Sequence, residues 1–177
     1  MTKRDQLKKM IRKIAGKLKD LVFEALPSWI GIFEITIYNL DTGKLKKKIV
    51  FNRVMDVGLN ALADTLVGTT PDLEIKYLAV GTDNTPVTDN DAQLGAEIFR
   101  TPPVSGPLRT TVGQIETEFI LLDSEAVGSL REVAIFVGAT ATGTANSGVL
   151  LSRILWSYEK TNSEEITIKR IDKIVRA

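Results

Sequence analysis

The spacing of apolar positions changes several times along the chain, and each change predicts a different element. Between residues 2 and 26, Leu7, Ile11, Ile14, Leu18, Leu21 and Ala25 recur at alternating steps of four and three. That spacing puts them on one stripe of a helix, which Met10 and Val22 widen. In heptad terms Ile11, Leu18 and Ala25 stand at a, and Leu7, Ile14 and Leu21 at d. Pro27 ends the helix, because it has no N–H to donate and its ring obstructs the preceding turn. From Gly31 the period falls to two. Phe33, Ile35 and Ile37 oppose Glu34, Thr36 and Tyr38. A turn follows at residues 39–43, and Leu45, Lys47, Ile49 and Phe51 then alternate with Lys46, Lys48 and Val50. This predicts a β-hairpin. Helical spacing returns over residues 53–67, through Val54, Val57, Leu59, Leu62, Ala63 and Leu66, with Gly68 placed to end it.

The rest reads as β structure joined by long connections. Residues 78–100 begin as a strand and cross a run rich in Asp, Asn and Thr. They return through Leu94-Gly95-Ala96-Glu97 to Ile98-Phe99. Gly, Asn, Asp and Pro favour turns for separate physical reasons, so residues 82–95 are a loop, and one anchored by apolar residues. Residues 108–122 and 131–137 alternate as strands. Residues 138–148 are nearly all small and predict an exposed flexible loop. Residues 149–158 are apolar in both phases, which predicts a central strand buried on both faces. Ile166, Ile168, Ile171 and Ile174 change phase after Ile168, which predicts a bulge. The count is about eight strands, and the fold class expected is mainly β. The architecture expected is an antiparallel β-sandwich of jelly-roll-like type over residues 28–177, with one internal helix. Residues 1–27 form a separate amphipathic helix ahead of it.

Charge sharpens that division. Residues 1–26 hold eight Lys or Arg and three Asp or Glu, whereas the remainder holds 15 and 19. A basic arm therefore precedes a mildly acidic body. The arm admits three readings: a helix packed on its own domain, a coiled coil or docking helix in an oligomer, or a membrane-surface helix. The assembly reading names Leu7, Ile11, Ile14, Leu18 and Leu21 as its interface. Mixed Ile and Leu at a and d lean away from a strict dimer and towards a trimer or higher. No apolar run reaches the length of a membrane span. With a net charge of +1, no global field favours nucleic acid. Lys44, Lys46, Lys47 and Lys48 fit an edge strand guarded against aggregation better than a phosphate contact.

The chain has no Cys and no His. Thiolate and imidazole ligands, Cys nucleophiles and His general bases are therefore excluded. Asp83, Asp89 and Asp91 are the best oxygen ligands for Ca²⁺, but their spacing matches no EF-hand loop, and turn chemistry explains them more simply. Glu116 and Glu118 share a strand face and read as a solvated pair. No cofactor is expected.

Several motifs occur in an order that resembles structural proteins of tailed bacteriophages and prophages, of the tail, tail-fibre or virion kind. The first is Asp56-Val57-Gly58-Leu59-Asn60-Ala61-Leu62-Ala63. Next come Tyr77-Leu78-Ala79-Val80-Gly81-Thr82 and Leu94-Gly95-Ala96-Glu97. Last are Glu132-Val133-Ala134-Ile135-Phe136 and Leu150-Leu151-Ser152-Arg153. The likeness covers residues 50–175 and breaks at Asp83, where such proteins usually carry Gly. It implies a non-enzymatic structural component located in the virion. Its partners would be itself and other virion proteins. The alternative is a carbohydrate- or receptor-binding module using loops 82–95 and 138–148. Sugar sites favour an exposed aromatic platform, and neither loop contains an aromatic residue.

Overall fold

The computed structural model describes residues 29–52, 54–69 and 72–174. The arm expected to be helical, with its stripe of Leu7, Ile11, Ile14, Leu18 and Leu21, lies outside the described residues. Those residues form nine strands and one helix in the order β1 (Trp29–Asn39), β2 (Leu45–Asn52), α1 (Asp56–Leu66), β3 (Ile75–Gly81), β4 (Glu97–Thr101), β5 (Ser105–Thr111), β6 (Gln114–Leu121), β7 (Gly128–Val137), β8 (Val149–Lys160) and β9 (Glu164–Ile174). One sheet has the order β2-β1-β9-β6-β5 and the other β4-β3-β7-β8. Every pairing is antiparallel.

The alternation read from the sequence explains the core. Phe33, Ile35 and Ile37 of β1, Phe119 and Leu121 of β6, and Ile166 and Ile168 of β9 are buried. They share one apolar cluster with Leu78 and Val80 of β3, Val133 and Ile135 of β7, and Ile154 and Trp156 of β8. The five-stranded sheet thus contributes one face to this cluster. The four-stranded sheet is buried on both faces. Ala79, Ala134, Phe136 and Leu150 point away from the shared core into a second cluster with Met55 and Leu94.

Helix α1 lies against β8. Gly58 and Ala61 are its buried residues, and Met55 donates its N–H to Leu151 O at 2.9 Å. Gly68 follows the helix with φ of +80°, the left-handed turn that a glycine accommodates without strain.

Four expectations are corrected. Residues 149–158 do form a strand buried on both faces, but β8 is an edge of its sheet; α1 and the shared core cover it, not strands on both sides. Residues 108–122 are not one strand: β5 and β6 form a hairpin that turns at Val112-Gly113. No bulge interrupts β9, whose register is continuous against both β1 and β6. Its inward phase simply passes from Ile166 and Ile168 to Arg170 and Asp172, both fully buried. Arg170 makes a two-pronged contact with Asp172 at 3.0 and 2.6 Å, donates to Asn52 Oδ1 at 2.6 Å and lies 4.6 Å from the Phe33 ring centre. The Trp29 indole donates to Asp172 at 3.0 Å. The fourth correction concerns residues 138–148, which are held by several specific hydrogen bonds, described next.

Candidate functional site

The loop of residues 82–96 crosses the outer face of the four-stranded sheet and is fastened there by two charged side chains. Glu132 stands on β7 and Arg153 on β8, and both point outward into this second layer. Their side chains are buried, and Arg153 Nε donates to Glu132 Oε2 at 2.8 Å. The other two guanidinium nitrogens reach the loop. One donates to Asp91 Oδ2 at 2.9 Å and the other to Asp83 Oδ2 at 3.1 Å. Glu132 in turn accepts the backbone N–H groups of Gly95 at 3.1 Å and Ala96 at 2.9 Å. Leu94, fully buried, inserts between these polar contacts.

Gly81 and Gly95 make this possible. A Cβ at Gly95 would collide with the Asp83 carboxylate, and one at Gly81 with Glu132 and Ala96 O. Burial alone would raise the Asp91 carboxyl, but hydrogen bonds from Thr88 and Arg153 outweigh it and hold the group below the usual aspartate range. Burial likewise opposes the charge on Arg153, and its bonds to Asp91 and Glu132 reverse that effect.

The loop of residues 138–148 joins the same layer. Asn146, at φ of 56°, accepts from Leu94 N–H at 2.8 Å and donates to Leu94 O at 3.2 Å. Its own N–H goes to Glu97 at 2.7 Å. Arg100 pairs with Glu97 at 2.5 and 2.8 Å. It also donates to Thr142 O at 2.7 Å and to Ser147 O at 3.2 Å. Its guanidinium lies 4.7 Å from the Phe136 ring centre, the geometry of a cation–π contact.

Asp83 and Asp91 are therefore brought together, but around a guanidinium. Asp89 lines the wall of a cleft. Among the described residues no group of three or more acidic side chains is arranged to hold a metal ion. Glu116 is bound to Lys169 at 2.5 Å and to Gln114 at 2.7 Å.

That cleft, of about 680 Å³, opens between the edge strands β2 and β8. Ile30, Val50, Phe51, Met55, Pro86, Val87, Ile154 and Leu155 line it, with Asn52, Asp89 and Arg153 as its polar groups. Beside it β2 stands largely clear of the body. Leu45, Ile49 and Phe51 are all more than half exposed.

Glu132 and Arg153 were visible in the sequence only as the first and last letters of two motifs. Nothing in their local spacing said that they meet. The signal was indirect: two ionisable residues set in otherwise apolar runs, Glu132 before Val133-Ala134-Ile135-Phe136 and Arg153 after Leu150-Leu151-Ser152. A charge at a buried position needs a partner.

Comparison with family models, with curated proteins and with solved structures returned no match. The likeness to phage virion proteins thus rests on motifs alone. The geometry accounts for each motif: Gly58 packs on Leu151, and Gly81, Gly95, Ala96, Glu132 and Arg153 meet in one latch.

Proposed function

We propose that the chain is a non-enzymatic structural component of a phage-like particle. Its two sheets form a rigid β-sandwich body, and the basic arm of residues 1–27 joins copies of the chain to one another and to other virion proteins. The observation that supports this reading is the use to which the motif residues are put. Glu132, Arg153, Gly81 and Gly95 hold the long loop of residues 82–96 onto a sheet. They are committed to each other and to backbone groups. A chain selected for a stiff, loop-covered body spends its polar residues in this way.

The sandwich is the finer reading of the two sheets. Each consecutive strand pair from β1 to β8 lies within one sheet, and the pairs alternate between sheets. That order favours a sandwich of hairpins over the jelly-roll variant expected from strand spacing. The runner-up function keeps one point in its favour: the bonds between Asn146 and Leu94 join loops 82–95 and 138–148 into one surface. Micromolar binding on a glycan array would promote it.

The direct test of the proposal is the mass of the full chain in solution. Light scattering across a range of concentrations should give a stable multiple of 19.5 kDa, a trimer or higher. A monomer at every concentration would argue against assembly through the chain's own arm.

A further inference from the structure

The cleft between β2 and β8 and the exposed row on β2 need an occupant. Phe51 is 67% exposed, Ile49 58% and Leu45 55%. Lys46, Lys47 and Lys48 guard one end of this edge strand, whereas Ile49 and Phe51 leave its other end apolar and open to association. Phe51 also lines the cleft, with Ile30 of β1 beside it. Ile30 is the second described residue of the chain. The arm therefore joins the body at the cleft wall.

We infer that the last turns of the arm seat in the cleft of their own chain, leaving the earlier turns for assembly. This rests on the reading of the arm as the assembly element and divides its stripe in two. Leu18, Leu21, Val22 and Ala25 stand at i, i+3, i+4 and i+7, one face of a helix and an apolar match for Ile154, Leu155 and Val87. Reach is sufficient. The four residue steps from Leu26 to Ile30 span at most about 14 Å. A helix advances about 1.5 Å per residue, so Leu21 and Val22 cannot lie far from the wall.

A short tether favours the chain's own arm over a neighbour's, because it holds the segment at an effective concentration near millimolar. Leu7, Ile11 and Ile14 lie further from the junction and stay available to other copies.

The chain contains no Cys, so any disulfide in a variant is a designed one. Phe51→Cys would be combined in the full chain with a second Cys at position 18, 21, 22 or 25, one pair at a time. Phe51 is exposed enough for its replacement to leave the core alone. A disulfide requires Cα atoms within about 4.4–6.8 Å, so at least one pair should close. The expected result is an intrachain disulfide in one or two of the four pairs, seen as a reducible shift of the monomer band. Interchain dimers from the same pairs would show that a neighbour's arm fills the cleft and would overturn the inference. No disulfide above the level of the single-Cys controls would overturn it as well. The four variants keep Leu7, Ile11 and Ile14. Their mass by light scattering therefore reads assembly separately, and failure of one idea is distinguishable from failure of the other.

Discussion

Removing the Arg153 guanidinium would leave the Glu132 carboxylate at a fully buried position without its charged partner. Breaking one side of a buried ion pair is far more costly than never having built it, because the surviving charge keeps its desolvation penalty. Arg153→Met should therefore destabilise the protein by about 3–5 kcal/mol. The change is measurable as a fall in the urea midpoint at unchanged slope. Gly95→Ala acts on the same latch from the loop side. The new methyl forces Asp83 away from Arg153 but leaves the bonds to Asp91 and Glu132, so a smaller loss is expected, roughly 1–3 kcal/mol. A neutral outcome for both variants would mean that the latch carries no weight. The Arg170–Asp172 pair at the other sheet obeys the same logic, with Trp29, Asn52 and Phe33 as its remaining partners. Such pairs were hard to read from sequence. Arg170 and Asp172 look like solvent-facing positions, and only the fold puts them on the inward phase of β9.

At the scale of elements, period was an adequate guide wherever one face was wet. The hairpin of β1 and β2 and the inward phases of β1 and β6 followed from alternation; spacing placed helix α1 but not its buried face, since Gly58 and Ala61 are buried while Leu59, Ala63 and Leu66 are exposed. Period could not tell a central strand from an edge strand covered by a helix, and so β8 was misplaced. It also could not tell a loose loop from a tied one. Residues 138–148 are small and polar, as in flexible linkers, yet Asn146 and Arg100 fasten them. The loop of residues 82–96 should respond to acid. Asp91 has a folded pKa below its ordinary value. The stability it contributes is complete above about pH 4, the unfolded aspartate range, and is lost as pH falls further through the folded value. Hydrogen-exchange protection at Leu94, Gly95 and Ala96, taken relative to the intrinsic rate at each pH, should therefore fall below about pH 4, ahead of that of the amides of β1 and β9. Simultaneous loss of protection in all of these segments would indicate global unfolding and not release of this loop.

For the molecule as a whole, the account separates a body from an arm. Pro27, the change of period and the change of charge mark the boundary. On the body side, the shared core among the described residues draws on both sheets, with Trp29, Phe33, Ile35 and Ile37 of β1 facing Val133, Ile135, Ile154 and Trp156 of β7 and β8. A chain starting at Ser28 should thus keep its β-type circular dichroism and unfold in one cooperative transition. Aggregation of that chain with loss of cooperativity would instead make the arm part of the core. The arm's role is the central claim, and its early apolar residues carry it. If Leu7, Ile11 and Ile14 were left in water, burial worth roughly 1.5–3 kcal/mol per side chain would be forgone. The most direct measurement is the light-scattering mass of the full chain beside that of an Ile11→Asp, Ile14→Asp double variant. The account predicts an oligomer for the first, and for the second a monomer whose thermal midpoint is unchanged. An unchanged oligomer with a lowered midpoint would place the stripe in the core of the body and contradict the account.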